Sequence, residues 1–487
     1  MSRTTLLAPA QRAQAEFSLA GLGGQCRAQW ASEEFAHARL PDQRLVKRLM
    51  SLATDFAQHP TAPIPQACGS WGQAKAAYRF FDNEAVQPQA ILAAHVQASV
   101  QRLGRHLVVL AAQDTTTLNY STHPQTQGLG PISNNRDQTI GLLLHSTLAL
   151  TPSGQPLGLL HARSWARSTR SFRRSSSARN RTPRDQKESQ KWMDSLLACQ
   201  AAARQCPQTT LVNVADREGD LYDLFAQALA PTQGPRVHLL VRAQHNRQVA
   251  PPQKCLWDLL AAQRVSARLK VQAPRKDGQP GRLATLSIRF VRVTLQPPCL
   301  KEDQAPLTVW AVEAREARPP KGAKPICWRL LTTLPVETLQ AAVEKVRWYA
   351  LRWKIEVLHK ILKSGCQVEQ RQLETAARLQ RVLMVDLVVA WRVLSLCQAA
   401  RQTPQALASG WFSDVEWRAL WCYVHERAHP PHRPPTVRQA VRWIAQRGGF
   451  LARRGDGEPG PVTVWRGLRE LRAITAAWKR FGHEECG

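Results

Sequence analysis

The first part of the chain places apolar residues at the spacing of amphipathic helices. Residues 42–56 (DQRLVKRLMSLATDF) have this spacing, and residues 71–81 (WGQAKAAYRFF) repeat it after a proline-bearing turn. Ser70 is suited to cap the second helix, because its hydroxyl can accept a hydrogen bond from a free backbone N–H of the first turn. We therefore predict a helical N-terminal domain over residues 1–85.

From about residue 105 the pattern changes to short apolar runs that are separated by turn residues. The runs are rich in strand-forming residues, and two predicted helices, about 186–204 and 220–228, lie among them. Strands that are followed by strand–helix alternation predict an α/β sheet domain, here over residues 86–375. The predicted strands of its first half are 106–114, 139–150, 155–165, 209–216 and 236–243.

Two further patterns complete the predicted organisation. A proline-rich stretch with β-like runs, at about 245–335, predicts a β insertion in the sheet domain. A long helix is predicted from near residue 336 to about 363. The remainder, 376–487, has mostly helical patterns and is predicted to form a C-terminal helical domain.

The charge balance narrows the function. The chain has 487 residues with 66 Lys+Arg against 36 Asp+Glu, a formal net charge of +30, and 51 of the basic residues are Arg. Arginine suits bidentate phosphate contacts, so the excess indicates a nucleic-acid-binding protein. A hydrophobic content of 44% argues against a disordered tail protein. No uninterrupted apolar run reaches the roughly 18–20 residues of a membrane span. The first residues lack the apolar stretch of a signal peptide, and we expect a cytoplasmic protein.

Two basic regions each allow two interpretations. The predicted N-terminal helices either form a small DNA-docking module or belong to an ordinary helical bundle with a basic solvated face. Residues 163–184 contain eight Arg and no acid. This segment either grips a phosphate backbone or is a disordered basic loop.

Three acidic residues suggest chemistry. Asp114 and Asp216 each end a predicted strand, where they could share a divalent cation, although a strand-terminal Asp is commonly a turn or cap residue. Glu356 lies on the long predicted helix. At 100° per residue it shares one face with a tyrosine and three cations, and this face is too polar for a core. The alternative is a solvated face with ion pairs such as Glu356–Lys360. The face consists of Tyr349, Arg352, Glu356, Lys360 and Lys363.

These residues carry a resemblance to a known family. Tyr349, Arg352, Glu356 and Lys363 are separated by two, three and six residues, a spacing similar to the YREK signature of the bacterial DDE transposases of the IS-four family (Tn-five type). Further segments resemble the same family in the same order along nearly the whole chain. They are KAAYRFFDN, QDTTTLNYSTH, KESQKWM, VADREGD and GGFLARRGDGEPGPVTVWRGLREL.

The resemblance implies a fold and a set of site residues. The fold would be an RNase-H-like (retroviral integrase-like) core with a β-strand insertion, between the N-terminal DNA-binding domain and a dimerising C-terminal domain. A catalytic triad would hold two Mg²⁺, with Mn²⁺ as a substitute, and six residues would contact DNA. The triad is Asp114, Asp216 and Glu356, and the DNA contacts are Tyr349, Arg352, Lys360, Lys363, Trp328 and Arg242.

The resemblance also implies an activity. A homodimer in a synaptic complex would bind the terminal inverted repeats of an insertion sequence and excise it by metal-dependent phosphoryl transfer through a DNA hairpin. The freed 3′-OH ends would then join target DNA, and the protein would be associated with the bacterial nucleoid. Trp328 would stack on a flipped base, or it packs in the core; Arg242 would contact DNA, or it forms a salt bridge at a sheet edge. Glu218 could replace Asp216 as a metal ligand.

Two other functions remain open at this stage. A metal-dependent nuclease on the same fold would cleave DNA without joining it. A catalytically silent DNA-binding protein, such as a transposition inhibitor, would bind the ends only.

Overall fold

The computed structural model describes residues 27–133, 139–168, 187–273, 281–299, 303–322 and 325–481. Most of the Arg-rich segment predicted at 163–184 therefore lies outside the described residues. The same holds for residues 1–26 of the predicted N-terminal domain and 482–487 of the C-terminal one.

Among the described residues, which begin at 27, five helices precede the sheet. The two predicted helices are confirmed: the side chain of Asp42 caps one, and the Ser70 hydroxyl accepts a hydrogen bond from the Gln73 N–H, 3.3 Å away, at the start of the other. Three more helices were not predicted. The five are α1 (Arg27–Phe35), α2 (Gln43–Gln58), α3 (Ile64–Cys68), α4 (Trp71–Asp82) and α5 (Pro88–Leu103).

Strands and helices then alternate as predicted in the first half of the sheet domain. Their bounds are β1 (Val108–Asn119), β2 (Gly130–Pro131), β3 (Ile140–Leu150), β4 (Pro156–Trp165), α6 (Gln190–Gln205), β5 (Thr210–Ala215), α7 (Tyr222–Leu229) and β6 (His238–Arg242). The strand β1 is antiparallel to β3 and parallel to β5, while β6 continues the parallel part beside β5. The sheet is therefore mixed: it has an antiparallel part at β1, β3 and β4 and a parallel part at β1, β5 and β6.

The predicted β-like runs between 245 and 335 form strands that extend the same sheet. A short helix, α8 (Leu256–Ala262), comes first in this region. The strands that follow it are β7 (Ala267–Ala273), β8 (Arg282–Leu295), β9 (Leu307–Glu316) and β10 (Cys327–Thr332). The complete order is β2-β3-β1-β5-β6-β10-β9-β8-β7, with β4 also paired to β3. Because β10 pairs with β6, the described part of the insertion joins the core sheet directly.

The long helix predicted over 336–363 is interrupted. It consists of α9 (Leu339–Leu351), a break at Arg352, α10 (Trp353–Lys360) and a π-helical turn over Ile361–Gly365. A continuous 100° repeat therefore does not hold across this segment. Single π turns of this kind often occur at functional sites.

Helices cover both faces of the sheet. One face packs against α10 and α11 (Ala376–Gln402), and the other packs against α6 and α7. The helix α11 is long and apolar enough to span a membrane by length and composition, but 94% of its most apolar window is buried inside the protein. Its burial on nearly every side is typical of a central core helix.

The last described part of the chain is helical, as its pattern predicted, and two of its helices contact α11. The helices of this part are α12 (Asp414–His425), α13 (Val437–Arg447) and α14 (Pro461–Phe481). The helices α13 and α14 approach closely at Gly467, where an added Cβ would lie 1.8 Å from the carbonyl oxygen of Ile444.

Candidate active site

The sheet register brings two of the three predicted acids together. The parallel pairing of β1 with β5 ends at Ala112 and Val214, and two residues further on are Asp114 and Asp216. Side chains alternate between faces along a strand, so both aspartates lie on the face that packs against α10. The prediction that Asp114 ends its strand is wrong, because β1 continues to Asn119 through antiparallel pairing with β3. Asp216 does follow the last residue of β5.

Glu356 is in the first turn of α10 and completes the acidic group. Buried Ile355 and Leu358 hold this helix in the core beneath the sheet. The ring Nε2 of His359 lies 2.8 Å from the hydroxyl of Ser146 on β3, which ties α10 to the strand next to β1. The Glu356 carboxylate is thereby directed towards the face of β1 that carries Asp114.

The guanidinium of Arg352 connects the acids. Its Nη1 lies 3.3 Å from Oδ2 of Asp114, and its Nη2 donates to Oε1 of Glu356 over 2.5 Å. The ion pair expected between Glu356 and Lys360 is therefore replaced by one with Arg352. Asp114, Arg352 and Glu356 form a half-buried charged cluster at the break between α9 and α10.

The charges of Asp216 and Glu356 both act on the carboxyl group of Asp114. The pKa of Asp114 is raised to about 6: burial raises it most, Arg352 lowers it, and the negative charges of Asp216 and Glu356 also raise it. Burial also lowers the pKa of Arg352, but Tyr349 and the three acids outweigh it, so the net pKa of the guanidinium is raised. The site holds excess negative charge that a cation stabilises.

The residues fit a magnesium site in ligand chemistry. Carboxylate oxygens are the ligands that Mg²⁺ prefers, and here the positive charge of Arg352 lies between two of them. Within the described ranges, no three His, Cys, Asp or Glu side chains are close enough to hold a metal ion. Metal binding by all three acids would therefore require their carboxylates to come closer together and Arg352 to leave Asp114 and Glu356.

Glu218, the alternative ligand, is directed elsewhere. Its carboxylate, which is 66% exposed, lies 3.2 Å from Nζ of Lys191 on α6. Its backbone N–H donates to Asp216, whose side chain caps the short turn over Arg217–Gly219. The geometry favours Asp216 over Glu218 at this site.

Three of the predicted DNA-contacting residues form a second cluster beside the acids. The rings of Trp328 and Tyr349 meet edge to face with centroids 5.4 Å apart, and Arg242 hydrogen-bonds to Tyr349. Arg242 also donates to the carbonyl oxygen of Cys327 over 2.9 Å. Because β6 lies between β5 and β10, Arg242 is not at a sheet edge.

Tyr349 does not belong to a solvated stripe. Its side chain is 5% exposed and forms part of the core, which corrects the expectation of one polar helix face. Burial raises the pKa of Tyr349, although Arg352 and Arg242 lower it. Trp328 is only half-buried and packs against this core.

The two lysines lie further along the same segment. Lys360 is exposed at the end of α10. Lys363, in the π turn, lies 3.8 Å from Glu369, whose carboxylate also accepts a hydrogen bond from the backbone N–H of Asn119. Both cations follow Glu356 within two turns.

A buried polar network on the opposite face of β1 was not predicted from the sequence. His145 on β3 lies 2.9 Å from the hydroxyl of Thr115 and 3.1 Å from Oε1 of Gln113. The amide of Gln113 continues to Asn213 on β5. Burial lowers the pKa of His145 far below its usual value, so the ring is neutral. The signal was present as a His inside the apolar run GLLLHSTLAL.

The N-terminal helices present a basic surface. Trp71, at the start of α4, is 78% exposed, which is unusual for a residue of this size. Several cations on α2 and α4 are also exposed: Arg44, Lys47, Lys75 and Arg79.

Two family matches cover the ends of the chain. Residues 27–86 match the family described as "Transposase DNA-binding", and residues 388–484 match the "Transposase Tn5 dimerisation domain". Both matches support a DNA transposase of the Tn5 type. They favour a DNA-docking module over an ordinary bundle at the N-terminus, and they support dimerisation through the C-terminal helices.

A solved transposase structure also has some similarity to this chain. The cryo-EM structure of a piggyBac transposase synaptic complex with hairpin DNA is 8% identical over 94% of this chain and 83% of that chain, with a TM-score of 0.39. This similarity is too weak to support an argument about fold or mechanism.

Proposed function

We propose that this chain is a DDE transposase of the IS-four family that moves an insertion sequence by a cut-and-paste reaction. One observation carries the proposal: Arg352 forms ion pairs with Asp114 and Glu356, and Asp216 acts electrostatically on both Asp114 and Arg352. These interactions occur in a chain whose two ends match transposase DNA-binding and dimerisation families.

The proposed core is RNase-H-like. The order β4-β3-β1-β5-β6, with three antiparallel strands followed by two parallel ones, supports this assignment. The described strands of the insertion lie between β6 and the helix that carries Glu356, which is where the family resemblance places an insertion.

Asp114, Asp216 and Glu356 would hold two Mg²⁺ ions, for which Mn²⁺ can substitute. When bound, such ions supply activation of the attacking oxygen and stabilisation of the leaving 3′ oxygen in an in-line phosphoryl transfer. The strand register brings Asp114 and Asp216 to the same face of the sheet, and the packing of α10 holds Glu356 beside Arg352, which pairs with Asp114. Arg352 compensates their charge before DNA arrives and then turns to a phosphate, for which its planar guanidinium is suited.

The cluster beside the acids would handle the DNA end. Tyr349 and Arg242 are held together by a hydrogen bond and would position a phosphate near the cut with Lys363. Trp328 would stack on a flipped base during a hairpin step, a contact worth roughly 1–3 kcal/mol. Its partial burial against Tyr349 holds the ring in one orientation.

The experiment is cleavage and joining of DNA that bears the terminal repeats flanking the reading frame. We expect Mg²⁺-dependent nicks, hairpins and joined products from the purified full chain. The variants Asp114→Asn, Asp216→Asn and Glu356→Gln should abolish all three products, while the matched control Glu218→Gln should retain them. Retained cleavage in the triad variants would refute the assignment.

The product pattern also separates the alternatives. Cleavage without hairpins or joined products would indicate a metal-dependent nuclease, and binding of the ends without cleavage would indicate a silent inhibitor. Trp328→Ala should reduce hairpin formation and spare the first nick. Equal loss at both steps would refute the stacking role.

A further inference from the structure

A cleft lies where four separate segments of the chain meet. It has a volume of about 550 Å³ between the end of α10 with the following π turn, the end of α13 and the start of α14. Thr61, from the loop before α3 in the N-terminal module, also lines it. The cleft therefore joins the proposed catalytic helix to both transposase-family regions.

The lining of this cleft is cationic. Lys360, Arg447, Arg466 and Arg469 line it together with one acid, Glu470. All four cations are exposed. In the part of the chain that the structure describes, Arg469 is the member of this set with a carboxylate partner, Glu470, at 3.4 Å. So many cations at one place repel one another unless an anion lies among them.

The cleft is next to the proposed active site. Lys360 lies one helical turn after Glu356, and their side chains are on the same side of α10. A DNA strand held at Glu356 can therefore continue over Lys360 to Arg466 and Arg469 on α14. Hydroxyl and amide groups of Ser364 and Gln367 provide neutral donors along this path.

We propose that this cleft binds backbone phosphates of the duplex that leaves the active site. The C-terminal helices would then serve two purposes, dimerisation and DNA binding. The proposal rests on the proposed function in that DNA is the substrate. It adds Arg447, Arg466 and Arg469 to the DNA-binding surface.

A second surface lies further along the same side of α14 and shares Arg447 and Glu470 with the cleft. There a larger groove is lined by apolar side chains that include Tyr423, Trp478 and Phe481. Apolar and aromatic side chains are typical of the centre of a protein interface, from which charged residues are depleted. The basic cleft suits phosphate, and the apolar groove suits a protein surface, so we assign DNA to the cleft.

The test measures the affinity of the full chain for a duplex of about 40 base pairs at several salt concentrations in EDTA, so that no cleavage occurs. Each phosphate contact contributes about 0.9 to the slope of log K against log salt. The double variant Arg466→Gln, Arg469→Gln should reduce this slope by about 2, and Arg447→Gln by about 1. The matched control Lys479→Gln, Arg480→Gln removes the same charge from exposed positions on α14 outside the cleft and should leave the slope unchanged.

Two results would overturn the proposal. Equal slope changes in the cleft and control variants would show only a general charge effect. The cleft variants could instead leave the salt slope unchanged but alter the molecular mass that light scattering measures without DNA. That result would show that the cleft binds a second copy of the chain. Because the assay excludes cleavage, a reduced slope supports DNA binding by the cleft even if the protein does not catalyse the proposed reaction. If the cleft variants cleave DNA normally and their salt slope is unchanged, DNA binding by the cleft is rejected and the proposed catalytic function is not.

Discussion

A buried ion pair connects the N-terminal module, the segment after the catalytic helix and the core helix α11. Arg371 and Asp386 are 4% and 1% exposed, and the guanidinium donates twice to the carboxylate, over 2.7 and 3.1 Å. It also donates over 2.9 Å to the carbonyl oxygen of Ala62, in the loop before α3. We predict that Asp386→Ala destabilises the protein strongly.

The expected loss of free energy of unfolding follows from the groups that still contact Arg371 after Asp386→Ala. Arg371 would stay buried with the Ala62 carbonyl and the ring of Phe56 as partners but without a carboxylate, and an uncompensated buried charge costs about 3–5 kcal/mol. The matched control is Asp82→Ala, which removes an aspartate carboxylate from its ion pair with Arg378. This pair also connects the N-terminal module to α11. The Asp82 side chain is 59% exposed, so this loss should stay below about 1 kcal/mol.

The assay is equilibrium urea denaturation of the full chain and the variants. A third variant, Arg371→Met with Asp386→Leu, removes both charges and should regain most of the lost free energy of unfolding, because no buried charge is then left unpaired. Equal losses for Asp386→Ala and Asp82→Ala would refute the reasoning. So would a double variant as unstable as Asp386→Ala.

Two further predictions concern the site and the C-terminal helices. Because the folded pKa of Asp114 is about 6 against an ordinary 3.8, its contribution to folding stability is complete below about pH 4 and is lost as pH rises through 6. Cleavage needs the ionised form and should rise over the same range, with a midpoint that moves lower as Mg²⁺ increases; a flat profile from pH 5 to 7 would contradict this. Gly467→Ala should lower the melting temperature and impair dimerisation, since its Cβ would overlap a backbone carbonyl of α13, whereas Gly460→Ala meets no atom within 4 Å. Similar thermal unfolding curves for both glycine variants would contradict the close packing.

Local sequence patterns predicted much of the fold. Apolar runs indicated β1, β3, β4, β5 and β6, because a strand buried on both faces needs a nearly continuous apolar run. A capping serine and the helical period located α4. The pattern did not predict the end of β1, since the polar segment TTTLN is held in the sheet by β3 and not by its own hydrophobicity.

Spacing along the chain selected three acids that the structure brings to one region of the sheet, but it described their surroundings incorrectly. A regular 100° repeat placed Tyr349 on a solvated stripe with Arg352 and Glu356. The helix tightens at Arg352, whose backbone N–H donates to the carbonyl oxygen of Tyr349, and packing against the sheet buries Tyr349 beside Trp328. A helical wheel contains no information about which neighbours cover a face, so burial could not be obtained from it.

By itself the sequence determined which residue types are available: a large excess of arginine, two aspartates at the ends of apolar runs and a glutamate among cations. Only the tertiary structure decided that Asp114 and Asp216 lie on the same face of the sheet, that Arg352 connects Asp114 to Glu356, and that Lys360 shares a cleft with Arg466. The physical reason is that local periodicity indicates only which side of each helix or strand is exposed to water. Register between strands and packing between helices depend on contacts across more than a hundred residues, and these contacts place the charges together.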